Sequence, residues 1–217
     1  SSIIGLDGLY PTLNIIKYTK KIAIANKETL ICAWNLIKKE LIKNKTTFIP
    51  VDSEHYSIFN LLKNHKIYDV EKIYITASGG PFYFNKKINL NKVSIDKVLS
   101  HPKWNMGKNN LIDSSNFVNK ILEIFELSYI FDIPLDKIDF LVSKQALIHS
   151  IILFKDGTVS LNCFKNDMII PLIYPLKFFY NLKSNYKSND FFLDNKNLAL
   201  EKPNDKRFLI FKYLKKI

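Results

Sequence analysis

The stretch Thr46-Thr47-Phe48-Ile49-Pro50-Val51-Asp52-Ser53-Glu54-His55 decides how this 217-residue chain is read. Its first half is β-prone and its second half polar, so a strand gives way to a loop or helix near Val51. Asp52 and Glu54, two apart at such an end, can turn toward one pocket, where they offer hard oxygen ligands suited to Mg²⁺ or Mn²⁺. Ser53 between them offers a hydroxyl to a polar substrate. Upstream, Ile22-Ala23-Ile24-Ala25 reads as a short buried strand. Residues 28–43 read as a helix, with Leu30, Ile31, Trp34, Leu36, Ile37 and Leu41 near helical period. Strand, helix and strand in that order form a parallel unit. Ligands on open parallel sheets sit at the carboxyl ends of strands, which is where Asn26-Lys27-Glu28 and Asp52-Ser53-Glu54 both fall.

Downstream, residues 56–62 read as a short helix and 72–76 as a strand ending in Ser78-Gly79-Gly80, whose glycines let backbone N–H groups approach an anion. Ser94 is placed to cap a short helix through Leu99, and residues 101–110 read as a loop holding Trp104 and Met106 beside Gly107. Ser114 and Ser115 are expected just before a helix that runs to about Phe131 and sets Asn119, Lys120 and Glu123 close to one face. Hydroxyls at that N-terminus, with its positive dipole end, suit a phosphate. Residues 137–142, 148–154 and 158–163 read as strands, the last two joined as a hairpin across Lys155-Asp156-Gly157. Beyond Pro175 the Asn-, Lys- and Phe-rich sequence carries no readable period.

With 47% hydrophobic residues the chain can bury a proper core. Its net charge of +12 comes almost wholly from lysine, Arg207 being the single arginine, and no RNA-binding signature or arginine-aromatic interleaving accompanies it. A nucleic-acid partner is therefore not expected. Cys32 and Cys163 lack metal-ligand spacing and read as two buried thiols. No long apolar segment and no charged-then-apolar leader is present, so neither a membrane span nor a signal peptide is expected. His65 reads as a surface group, His149 as a satisfied interior one and Trp34 as core.

Five blocks stand in one order: Ala25-Asn26-Lys27-Glu28, the Asp52 pentad, Ser78-Gly79-Gly80-Pro81-Phe82, His101-Pro102-Lys103-Trp104-Asn105-Met106-Gly107, and Asp113-Ser114 through Glu123. That series resembles the 1-deoxy-D-xylulose 5-phosphate reductoisomerase family, the NADPH- and divalent-metal-dependent enzymes of non-mevalonate isoprenoid synthesis. The resemblance implies an α/β fold: the end of a Rossmann-like NADPH-binding domain over residues 1–50, then a mixed-sheet α+β catalytic domain over 51–180. Residues 181–217 would be a linker or the start of a C-terminal region. It also implies that Asp52, Glu54 and Glu123 bind Mg²⁺ or Mn²⁺. Lys27, Ser53, Glu54, Ser78, His101, Ser114, Asn119, Lys120 and Glu123 would bind the sugar-phosphate substrate. Lys27, Glu54 and His101 would be catalytic, while Asn26, Glu28 and Gly107 would contact NADPH. Trp104 and Met106 would form a flap.

On this reading Lys120 anchors the phosphate, so its loss should leave metal affinity nearly unchanged. A homodimer joined through the 148–163 hairpin is implied, in the cytoplasm of a bacterium or in a plastid-type organelle. The Gly-rich dinucleotide fingerprint that the family places upstream of Ile3 is absent, as is most of its C-terminal helical domain, so a central fragment is expected. Tyr83 stands where the family carries a basic residue, and Asn116-Phe117-Val118 replaces Thr-Met-Met. A non-enzymatic descendant that keeps the fold as an assembly module is the alternative.

Overall fold

The computed structural model describes residues 1–103, 107–180, 197–204 and 206–211. In chain order it contains α1 (Leu9–Ile16), β1 (Lys21–Ile24), α2 (Lys27–Asn44), β2 (Thr47–Pro50), α3 (Ser53–Leu62) and β3 (Val70–Ala77). These are followed by α4 (Ile95–Leu99), α5 (Lys108–Ser115), α6 (Val118–Phe131), β4 (Ile138–Val142), β5 (Ile148–Phe154), β6 (Val159–Cys163) and α7 (Ile169–Tyr180). Mixed helix and sheet is what the sequence patterning leads one to expect.

β1 and β2 pair in parallel, from Lys21 opposite Thr47 to Ile24 opposite Pro50, with α2 as the crossover between them. Asn26 starts α2 as its N-cap, its side-chain oxygen accepting from the Thr29 N–H at 2.7 Å. Lys45 ends the helix in the left-handed conformation. Leu30, Ala33, Trp34, Ile37 and Leu41 form the buried stripe of α2 and pack on Ile16, Ile22 and Ile24. Cys32 lies off that stripe and is exposed, and Cys163 on the edge strand β6 is half-buried, so neither is the buried thiol expected; both are free.

The larger sheet has the order β4-β3-β5-β6. β3 pairs in parallel with β4 and antiparallel with β5, and β5 and β6 form the expected hairpin, with Gly157 at φ 84° in the turn. α6 covers this sheet with Ile124 and Leu127, packing over Ile73, Ile75, Phe140 and Ile152, and its other side meets α2. Glu201, in a stretch unread in the sequence, forms a one-residue bridge at the end of β4: Val142 and Glu201 exchange backbone hydrogen bonds of 2.8 and 3.0 Å.

Three local readings change. α3 starts at Ser53, three residues earlier than expected, because the Asp52 carboxylate caps it by accepting from the Glu54 N–H at 3.2 Å. Part of the expected 101–110 loop is the first turn of α5. Ser114 and Ser115 consequently end α5 rather than precede α6, which starts after Phe117 in a left-handed conformation at φ 69°. α7 lies where the sequence carried little signal. Among the described residues no helix is long and apolar enough to cross a membrane.

Candidate active site

Three strand ends and one helix face build the site. Lys27 opens α2 just past β1, Asp52 caps α3 just past β2, and Ser78-Gly79-Gly80 follows β3 with both glycines at positive φ, 83° and 57°. Asn119, Lys120 and Glu123 lie on the first turns of α6. The parallel order of β1 and β2 points both carboxyl ends the same way, which is why residues 25 apart in sequence meet. One cavity of about 490 Å³ is lined by all ten residues expected to hold metal or substrate: Lys27, Asp52, Ser53, Glu54, Ser78, His101, Ser114, Asn119, Lys120 and Glu123. Asn26, Glu28 and Gly107 line an adjoining cleft of about 510 Å³, with Lys27 and Gly107 shared between the two. The Asn26 amide is engaged by its own fold, donating to the carbonyls of Ile3 and Gly5. Trp104 and Met106 lie outside the described residues.

Carboxylate oxygens of Asp52, Glu54 and Glu123, one from each, fall within 4.8 Å of one another. Oxygens around a single Mg²⁺-type ion, at bond lengths of roughly 2.0–2.6 Å, span at most about 5 Å, so the three fit one coordination sphere. Two lysines neutralise the cluster. Lys27 pairs with Asp52 and lies 3.4 Å from Glu123 Oε1. Lys120 Nζ is 2.6 Å from both Glu54 Oε1 and Glu123 Oε2. Both are close ammonium–carboxylate contacts, and the buried Glu123 Oε2 is already held by a positive charge that an entering metal ion would have to displace.

Two residues that the sequence reading passed over belong to this network. Glu126, 3% exposed, approaches Lys27 and the buried His55, each at 3.9 Å. His55 Nδ1 lies 2.9 Å from Asp52, and its Nε2 is 3.0 Å from the Glu123 carbonyl oxygen. The available signal was spacing, since Glu126 follows Glu123 by three and shares its helix face.

Burial alone would strip the charge from both lysines. Asp52, Glu123 and Glu126 instead hold Lys27 well above its ordinary value, and Glu123 and Glu54 hold Lys120 above its own. The acids divide: Asp52 sits well below the usual range despite burial, because Lys27 and His55 face it. Burial raises Glu123, with the Glu54 charge adding to it, and burial raises Glu126. His55 is carried up to about 9, the Glu126 and Asp52 charges overcoming desolvation. The geometry is therefore a dense, near-neutral lattice of fixed charges.

Beside it lies a donor-rich lobe. The Lys103 N–H donates to His101 Nδ1 at 3.1 Å, which puts the ring proton on Nε2, 3.1 Å from Ser78 Oγ. Burial and the Lys120 charge push His101 down to about 4, so it is neutral at pH 7. Ser78 Oγ also accepts from the Gly80 N–H at 3.3 Å, which leaves its own proton for a ligand. Asn119 donates to Glu123 Oε1.

The family model described as the 1-deoxy-D-xylulose 5-phosphate reductoisomerase C-terminal domain matches residues 48–131, and a second one for 1-deoxy-D-xylulose 5-phosphate reductoisomerase matches residues 1–34. The enzyme of that name from Pelagibacter ubique is 46% identical over 213 residues, covering 98% of this chain and 55% of its own length. That from Clostridium tetani is 44% identical over 178 residues, 82% of this chain and 46% of its own. The solved reductoisomerase of Zymomonas mobilis in complex with NADPH superposes with a TM-score of 0.85 at 34% identity, over 99% of this chain and 55% of that one. Another, in complex with NADPH, fosmidomycin and magnesium, has a TM-score of 0.85 at 29% identity. The chain spans about half the length of the curated relatives it matches. Two family models that together cover the three strand ends and the helix face of the site, relatives aligned along nearly the whole chain and neighbours of the same fold agree: the chain belongs to the 1-deoxy-D-xylulose 5-phosphate reductoisomerase family.

Proposed function

We propose that this chain carries the metal- and substrate-binding part of a 1-deoxy-D-xylulose 5-phosphate reductoisomerase. The reaction is rearrangement of that sugar phosphate and its reduction by NADPH to 2-C-methyl-D-erythritol 4-phosphate. The convergence of Asp52, Glu54 and Glu123 beside a separate donor-rich lobe carries the reading. The relatives' names support it, as do neighbours solved with NADPH and with fosmidomycin and magnesium. Retention of the whole charged set argues against a degenerate assembly module.

In this reading Asp52, Glu54 and Glu123 hold Mg²⁺ or Mn²⁺, which when bound supplies Lewis acidity to the substrate's carbonyl and hydroxyl oxygens. Lys27 and Ser53 orient the substrate hydroxyls at the metal end. Ser78, Ser114 and Asn119 receive the phosphate as hydrogen-bond donors, with neutral His101 holding the Ser78 hydroxyl toward it and Lys120 between the two ends. Holding the phosphate far from the reacting carbons turns remote binding energy into orientation. Asn26, Glu28 and Gly107 border the cleft for NADPH, with Asn26 acting through the backbone it secures. Residues 1–50 would close the cofactor domain and 51–180 form the catalytic domain, onto which Glu201, Arg207 and Phe208 fold back. The partner in solution is a second copy, paired along the open edge of β6.

Titration calorimetry tests the assignment. Mn²⁺ should bind one site, and Glu123→Gln should weaken that binding by at least about tenfold, or ~1.4 kcal/mol. Fosmidomycin should bind only when Mn²⁺ is present. Mn²⁺ affinity unaffected by loss of Glu123, or fosmidomycin binding without metal, would overturn the reading.

A further inference from the structure

Arg207, the single arginine, lies about 130 residues along the chain from the Ser78 turn, yet its guanidinium is spent on the loop that follows that turn. Nη1 donates to the carbonyl oxygens of Asn85 at 2.9 Å and Ile88 at 3.1 Å, and Nη2 to those of Phe82 at 3.1 Å and Tyr83 at 3.4 Å. Within the loop the Phe82 and Asn85 carbonyls accept from the Asn85 and Ile88 N–H groups at 3.1 and 3.4 Å, and the guanidinium gives each a second donor while also serving Tyr83 and Ile88. A planar fork with five N–H groups can serve four carbonyls at once, which a lysine cannot.

The clamp reaches the donor lobe by two routes. The Tyr83 N–H donates back to the Gly79 carbonyl at 3.2 Å, tying the clamped loop to the turn. Gly80 lies so close to α5 that an added Cβ would stand 2.9 Å from the Ser114 carbonyl oxygen, so the turn and Ser114 keep a fixed separation. Next to Arg207, the buried Phe208 sets its ring edge-on to that of Phe117, centroids 5.0 Å apart. Phe117 is the left-handed residue from which α6 starts, and Asn119 and Lys120 follow it directly. One dipeptide thus buttresses both halves of the donor set.

We propose that Arg207, with Phe208, is a positioning residue for the anion-binding lobe. It fixes the spacing between the Ser78-Gly79-Gly80 turn and the α5–α6 junction so that their donors converge on one phosphate or phosphonate group. The proposal rests on the reading of that lobe given under Proposed function, and its test separates the two.

The full chain with Arg207→Ala is compared with the unsubstituted chain in three measurements. Fosmidomycin affinity of the Mn²⁺-loaded protein should fall about tenfold, while Mn²⁺ affinity stays within about twofold. Millimolar guanidinium should restore the fosmidomycin affinity. Amide hydrogen exchange should quicken across residues 79–83 and at Asn119 and Lys120, with the β3–β5 ladder unchanged. Unchanged fosmidomycin affinity, or equal loss of Mn²⁺ affinity, would reduce Arg207 to a general staple and overturn the proposal. Should the unsubstituted chain bind Mn²⁺ but not fosmidomycin, the reading of the lobe fails instead. The exchange measurement then decides the positioning role alone, and unaltered exchange at residues 79–83 refutes it.

Discussion

Lys120 stands between two uses, and the structure shows the one that sequence reasoning did not weigh. Its ammonium lies 2.6 Å from oxygens of both Glu54 and Glu123, the groups assigned to the metal. A lysine there is an internal counter-ion: it holds together acids that would otherwise repel, and it competes with any entering cation. Removing it leaves buried carboxylates uncompensated, and breaking one partner from a buried pair costs about 3–5 kcal/mol. Lys120→Ala should therefore lower the metal-free melting temperature sharply and raise Mn²⁺ affinity, with Mn²⁺ recovering most of the lost stability. Thermal melts with and without Mn²⁺ check this. Unchanged Mn²⁺ affinity would return Lys120 to the simpler role of phosphate anchor that the sequence alone suggests.

At the scale of elements, the turn after β3 sets how close the donors of Ser78-Gly79-Gly80 come to α5. Gly80 combines a φ of +57° with a Cβ position 2.9 Å from the Ser114 carbonyl oxygen, whereas Gly157 in the β5–β6 hairpin has φ +84° and open space around it. A non-glycine residue held in a left-handed conformation costs about 1–2 kcal/mol. Gly157→Ala should show that cost alone, read as a shift in the urea midpoint. Gly80→Ala should cost more and also weaken fosmidomycin binding, because the backbone of α5 cannot swing away as a side chain could. Equal costs at the two positions would mean that the turn and α5 are not in firm contact.

For the whole molecule, the two edges of the larger sheet differ. Glu201 bridges Val142 at the end of the β4 edge, while β6 shows Val159 and Leu161 at 58% and 50% exposure with no strand beyond it among the described residues. An apolar, unpaired edge is an invitation to strand pairing. A twofold dimer through β6 would meet that need with one self-complementary surface. Sedimentation at micromolar concentration should give a dimer, and Leu161→Lys should shift it to monomer without loss of Mn²⁺ binding. A monomer in the unsubstituted chain would sink the dimer.

The sequence by itself determined the elements with strong local signals and the strand ends that bear the chemistry. Apolar spacing marked α2, the β-prone runs marked β1 to β6, and Gly79 and Gly80 marked a turn that only positive φ allows. Periodicity placed Asn119, Lys120 and Glu123 on one helix face, whereas their union with the Asp52 pentad in one acid site was implied by the family resemblance alone. Ser114 was misjudged in its helix because the start of α6 depends on Phe117, whose left-handed backbone is packed by aromatic rings and spanned by the Asn116 carboxamide accepting from the Val118 N–H at 2.9 Å. Only the tertiary structure brought Glu126 and His55 into the charged network, placed Lys120 on the carboxylates and carried Arg207 across the chain to Phe82, Tyr83, Asn85 and Ile88. Those placements arise from burial and from charges seeking partners over long sequence separations, where neither spacing nor propensity carries information.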